Sequence, residues 1–122
     1  MERNVLLKAW RREWFYYIDH KGMLYCEDTQ PKNFTSCLKD DRFLDFFFGN
    51  IKANDTGAFQ EYPYVSPCWG ELNFIKAFRF PIVFRNMTDK KLLYAGTKSV
   101  EFDPTKLAYD QNDILLFKMD DT

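Results

Sequence analysis

The sequence predicts an α+β fold: a mostly antiparallel, strongly twisted sheet of short strands with one main helix, about residues 40–52, packed on one face. Three observations predict it. One stretch, Asp40 to Ile51 (DDRFLDFFFGNI), has a helical period, with Phe43, Leu44, Phe47, Phe48 and Ile51 on one face. Almost everything else consists of short runs of β formers broken by Gly, Pro, Asn and Asp. Aromatic residues make up 19% of the chain, thirteen Phe and seven Tyr among them, a content that suits sheets rather than bundles.

Taken in order, Met1 to Arg12 (MERNVLLKAWRR) carries four basic residues around an apolar stripe of Val5, Leu6, Ala9 and Trp10. It reads either as a degenerate mitochondrial transit peptide or as an amphipathic turn packing on the domain. Residues 13–122 are expected to form a single domain, long enough for a real core. Trp14 to Asp19 and Met23 to Glu27 form a predicted hairpin around His20-Lys21-Gly22, where Gly can take a positive φ. Asp28 to Pro31 breaks it, because proline has no N–H to donate. Asn33 to Leu38 fits an edge strand or a helical turn.

Asp40 is the expected N-cap of the helix, with Asp41 at the positive end of its dipole and Asn54 to Gly57 as its stop. Ala58 to Val65 then reads as a strand and Ser66 to Gly70 as a tight connection. Leu72, Phe74 and Lys76 share one face of a further strand. Ile82 to Phe84 is a strand opened by Pro81, Asn86 to Lys90 a polar turn, and Leu92 to Ala95 its return. Val100 and Phe102 alternate in a short strand. Asp103-Pro104 caps a turn of helix, and Asn112-Asp113 leads into a final strand, Ile114 to Phe117.

Composition narrows the function classes. Seventeen basic against 18 acidic residues leave no basic excess for nucleic acid. No apolar run is long enough to span a bilayer. The three cysteines, Cys26, Cys37 and Cys68, are odd in number and widely spaced, which argues for a reducing compartment over a disulfide framework or compact zinc site. Asn33-Phe-Thr35, Asn54-Asp-Thr56 and Asn86-Met-Thr88 match glycosylation sequons, but the sequence shows no secretory signal and such triplets arise by chance.

The strings FYYIDHKGMLYCEDTQPKNFTSC, KDDRFLDFFF, SPCWGELNFI and PIVF, spanning Phe15 to Phe84, resemble the eukaryotic uncharacterised protein family numbered 0598, also described as a domain of unknown function. That family's helix tends to open Lys-Asp-Pro; Lys39-Asp40-Asp41 stands there in this chain. The resemblance implies a mitochondrial address. It also implies a longer chain with a further C-terminal third after the position of Phe117, so a truncated or shortened form with an exposed sheet edge is expected. It carries no catalytic residues over, because the family has no established activity.

Three constellations of polar residues are candidates for chemistry. Asp19, His20 and Cys68 contain the parts of a thiol nucleophile, although His20 sits in a turn and Cys68 between Pro67 and Trp69 suits a small buried hydrophobe. Asp28, Thr29, Lys32 and Asn33 gather a carboxylate, a hydroxyl, an ammonium and an amide in one loop, where they either hold a polar ligand or cap turns. Ser66 and Cys68, with Glu71 and Asn73 on one strand face, either line a pocket or form a solvent face. No phosphate loop or metal-ligand spacing is present, and no cofactor is expected. The functional expectation is a small mitochondrial binding or assembly module without catalytic activity, acting on an unidentified protein partner. The alternative is an enzyme or small-ligand protein with a polar site near Asp28, Lys32, Asn33, Cys68 and Glu71. The surplus of aromatics on both faces of the first strand calls for a second covering layer, which the absent C-terminal part or a partner would supply.

Overall fold

The computed structural model describes residues 12–112 and 114–119. The basic segment up to residue 11, and Asp113 of the expected 112–113 turn, lie outside the described residues. The main sheet has five strands. In chain order they are β1 (Arg12–Ile18), β2 (Leu24–Cys26), β3 (Lys52–Ala53), β4 (Tyr64–Cys68) and β5 (Glu71–Ala77), arranged β2-β1-β5-β4-β3. One helix, α1 (Asp41–Gly49), lies across it. A three-stranded sheet follows: β6 (Asn86–Thr88), β7 (Lys91–Tyr94) and β8 (Lys98–Glu101), in order β6-β7-β8. A 3-10 turn, Pro104–Lys106, leads to the hairpin of β9 (Leu107–Tyr109) and β10 (Leu115–Phe117).

The α+β class holds, with three sheets in place of one. The centre of the main sheet is also a parallel pair, β1 with β5, from Arg12↔Glu71 to Ile18↔Ala77. Its other pairings are antiparallel. Between β1 and β5 the chain inserts β2, α1, β3 and β4, and that crossover is what turns the two central strands the same way.

α1 forms where its period and caps predict. The Asp40 carboxylate accepts from the Phe43 N–H at 3.0 Å, satisfying a first-turn donor. Leu44, Phe47 and Phe48 are buried, and Phe47 meets Tyr16 of β1 edge to face at 5.0 Å. The helix closes on Asn50 as its C-cap, earlier than the sequence suggests, and Lys52 enters β3.

Several boundaries differ from expectation, each for a local reason. The strand expected over Ala58–Val65 is β4, Tyr64–Cys68, and only Trp69-Gly70 turns. Both turn residues have positive φ, 49° and 79°, as in the two-residue hairpin loop that matches strand twist. Pro67 is tolerated because β3 covers only Tyr64 and Val65, so no strand lies beside it on the outer edge. Ile82–Phe84 joins no ladder. Pro81 has no N–H to donate, and Ile82 and Phe84 instead pack their side chains against the main core. Asn86–Thr88 belongs to β6, leaving Asp89-Lys90 as the turn. β9 is an element with weak alternation that the sequence reading misses.

Both faces of β1 and β5 are covered by this chain itself. Tyr16, Ile18 and Ile75 face α1. On the other face Phe15 and Phe74 meet Phe59 and Tyr62 of the 54–63 loop, with ring centroids 4.9 to 6.3 Å apart. The expected second layer is therefore that loop, not a missing C-terminal part. Asn54 shapes it: its amide donates to the carbonyls of Ala58, Phe59 and Tyr62 at 2.9–3.2 Å, and its carbonyl accepts from Thr56.

α1 also ties the second sheet to the first. Asp45 accepts from the Gly96 and Thr97 N–H groups at 3.1 and 2.7 Å and from the Thr97 hydroxyl. Burial pushes its carboxyl up, but these bonds and Lys98 outweigh it and hold it below the usual value. At Gly96 the turn between β7 and β8 comes so close that a Cβ would stand 2.7 Å from the Asp41 carbonyl oxygen. Gly96→Ala is therefore expected to destabilise the protein by about 1–3 kcal/mol, the usual range for overpacking. Chemical denaturation checks it, and a loss below about 0.5 kcal/mol would mean that α1 does not dock on this turn.

Candidate functional site

The 27–33 loop is held by its own polar groups. Lys32 Nζ donates to the Glu27 and Thr29 carbonyls at 2.6 and 3.0 Å and sits 5.8 Å from the Tyr17 ring centre. The Thr29 N–H returns to the Cys26 carbonyl. Asn33 Oδ1 accepts from the Thr35 N–H and hydroxyl at 3.0 and 2.6 Å. Asp28 is exposed. The same side-chain turn recurs at Asn54-Thr56 and at Asp103-Thr105. An acceptor two residues before a threonine thus bends the chain at each place, which gives two of the three sequon-like triplets a structural role.

Ser66, Cys68 and Asn73 form a second, buried group beneath α1. Alternation along β4 and β5 points Ser66, Cys68, Glu71 and Asn73 to the helix side. Ser66 Oγ donates to the Phe47 carbonyl at 2.6 Å, satisfying an acceptor near the helix C-terminus. It also stands 3.4 Å from Cys68 Sγ. Asn73 Nδ2 donates to the Ser66 carbonyl at 2.8 Å. Burial pushes the Cys68 thiol up, and hydrogen bonds from Ser66, Asn73 and Asn50 only partly offset it. The thiol is thus protonated at neutral pH and a poor nucleophile. Glu71, half-buried, accepts from Trp14 Nε1 at 3.0 Å and pairs loosely with Arg12 at 3.8 Å. Lys32 and Asn73 therefore occupy opposite faces of the sheet, so the two groups of candidate residues do not converge.

Asp19, His20 and Cys68 do not assemble either. The Asp19 carboxylate accepts from the Lys21 and Met23 N–H groups at 2.9 Å and from the Tyr25 hydroxyl at 3.0 Å, organising the hairpin turn. His20 is exposed beyond the end of β1, whereas Cys68 pairs with Glu71, level with the start of β1. Six strand residues separate those levels, about 20 Å at ~3.3 Å per residue. Among the described residues no group of three or more His, Cys, Asp and Glu could hold a metal ion, and no helix is long and apolar enough to cross a membrane.

Two surface features stand out once these polar groups are accounted for. At the Trp69-Gly70 turn, Trp69 is 63% exposed and stacks on Phe46, itself 41% exposed, with ring centroids 4.2 Å apart. Trp14 is exposed on the same side of the sheet, beneath the Arg12 guanidinium at 5.2 Å. Sequence reasoning missed this patch, although a signal was present: Phe46 is the aromatic that lies off the apolar stripe of α1. At the opposite end, the 19–23 turn and the 83–85 segment form an open groove of about 400 Å³ lined by His20, Lys21, Met23, Val83, Phe84 and Arg85.

A family model described as a domain of unknown function (DUF4505) matches residues 7–119, and the chain belongs to that family. No solved structure matches it.

Two outcomes follow from the buried groups. In the native protein a thiol reagent is expected to label Cys26 and Cys37, which are half-buried, well before Cys68. Labelling of Cys68 at the rate of a free thiol would contradict the burial described. The tyrosines give a pH dependence. Burial pushes the phenols of Tyr16, Tyr25 and Tyr62 up to about 12 from 10.0, helped by Cys26 and Cys68 at Tyr16, by Asp19 at Tyr25 and by Glu27 at Tyr62. The unfolded chain releases these protons first, so their contribution to stability is complete below pH 10.0 and is lost as pH rises toward about 12. Tyrosinate absorbance in an alkaline titration should show these three ionising together with unfolding. Ionisation of all seven tyrosines near the free value in folded protein would contradict it.

Proposed function

We propose that this chain is a small binding or assembly module in mitochondria, without catalytic activity of its own, that meets a protein partner through Trp69, Phe46 and Trp14. The observation that carries the reading is the backbone at Trp69. Its φ of 49° lies in the left-handed region, and the first central position of such a turn favours Asn, Asp or Gly. A bulky residue there is strained, and an exposed indole adds no core burial. Phe59, also at φ 49°, covers Phe15 and Phe74 and so has a packing role. Among the described residues the ring contact of Trp69 is its stack on Phe46, which fits an anchor kept for contact with something outside the chain. Exposed aromatics of this kind are enriched at protein interfaces.

The mitochondrial setting is supported by the resemblance to the family numbered 0598. The alternative of an enzyme or small-ligand site among Asp28, Lys32, Asn33, Cys68 and Glu71 has weaker support, because Asp28 is exposed, Lys32 and Asn33 are tied into turns, and Cys68 and Glu71 lie on the other face of the sheet.

Trp69→Asn separates anchor from scaffold. Asn-Gly favours this turn, and the gain roughly offsets the lost ring stack, worth about 0.5–1.5 kcal/mol. Stability is expected to stay within about 1 kcal/mol of the parent. A partner captured by cross-linking from mitochondria should be retained by the parent chain and lost with Trp69→Asn. Equal retention by both would overturn the reading.

A further inference from the structure

We propose that the groove at the joint between the 19–23 turn and the 83–85 segment binds a small organic anion, a carboxylate or phosphate carrying a short apolar tail. This site is independent of the aromatic face at the other end of the sheet. His20, Lys21 and Arg85 supply the polar lining of the groove, Met23, Val83 and Phe84 its apolar lining, and among the described residues no acidic side chain lines it. The nearest acid in sequence, Asp19, is spent inward on Lys21 N–H, Met23 N–H and the Tyr25 hydroxyl. A chain of net charge −1 thus presents a wholly basic set of side chains at one concave place. At about 400 Å³ the groove falls in the range of small-molecule sites, roughly 300–1,000 Å³.

Arg85 is prepared for the role. One of its terminal nitrogens donates to the Ala95 carbonyl, which fixes the guanidinium. A guanidinium has about five N–H donors, so most remain for a planar or tetrahedral anion. The two segments that form the groove meet closely beside it. Gly22, at φ +83°, lies against Val83 so closely that a Cβ would stand 2.9 Å from the Val83 Cβ.

The tail has a place to go. Met23 and Arg85 also line a neighbouring cavity of about 110 Å³, whose apolar lining includes Leu24, Leu38, Leu44 and Phe48. Lys39 and Asp41 border that cavity with opposite charges. An anionic head on Lys21 and Arg85 therefore sits beside an apolar recess with room for a few methylene groups, at ~30 Å³ for a water-sized unit.

The test titrates the full chain with hexanoate, hexyl phosphate, hexanamide and inorganic phosphate, read by calorimetry and by thermal shift. A saturable signal is expected with hexanoate or hexyl phosphate, and whichever binds more tightly identifies the head group. Hexanamide, lacking charge, should bind at least about tenfold more weakly, as should inorganic phosphate, lacking a tail. Lys21→Met, at an exposed side chain, keeps the fold and should weaken binding about tenfold. Arg85→Met should abolish it, and Lys21→Met keeps the test decisive if that variant fails to fold. No saturable signal with either tailed anion, equal binding of hexanamide, or unchanged affinity in folded Lys21→Met would overturn the proposal. Inorganic phosphate binding as tightly as hexyl phosphate would overturn the apolar recess.

Discussion

Strand β1 must be dry on two sides at once, and the rest of the fold answers that constraint. Its side chains alternate, so Tyr16 and Ile18 need one cover while Phe15 needs another. α1 supplies the first through Phe47. The 54–63 loop supplies the second through Phe59 and Tyr62. A loop is an unusual layer, because its backbone groups must be satisfied without a ladder. Asn54 does much of this by donating to three carbonyls. Beside it, the Tyr62 hydroxyl donates to Glu27, which in turn pairs with Lys76 at 3.2 Å.

α1 is the hub that converts this local packing into a larger assembly of sheets. Its apolar face meets the main sheet, its Phe47 carbonyl is met by Ser66, and its Asp45 side chain grips the turn after β7. Few positions on a nine-residue helix are then free, and Phe46 is one of them. Its exposure is thus a consequence of geometry: an apolar face already occupied leaves an off-stripe aromatic that stacks on Trp69 among the described residues.

What the sequence disclosed was local. The helix was legible because its period and the Asp40 cap agree within one short stretch, although it ends at Asn50 and not at the expected Asn54 to Gly57 stop. The first hairpin was legible because Gly22 stands where a positive φ is required. The parallel β1–β5 pair was not, since β1 and β5 are brought together by packing and not by a turn between them. Ser66-Pro67-Cys68 looked like a connection because Pro is a turn signal, and only the shortness of β3 makes it acceptable in a strand. The polar loop at Asp28 to Asn33 was located correctly, but sequence shows which donors are near one another and not which are already engaged. The aromatic patch and the basic groove each join side chains distant along the chain, Trp69 with Phe46 and Lys21 with Arg85, so spacing could mark Phe46 as off the stripe but not show what it meets.

Pro67 has a consequence for how copies of this protein meet. Beyond the two residues of β3, no strand among the described residues pairs with the outer edge of β4, and an uncovered edge ordinarily invites another chain to add a strand. In a two-residue hairpin the residues flanking the turn, Cys68 and Glu71, exchange the ladder bonds, so the nitrogen of Pro67 is the one directed outward. It has no hydrogen to offer. A strand added along that side would therefore lack a ladder bond at Pro67, which makes backbone pairing there less favourable than along an unbroken edge.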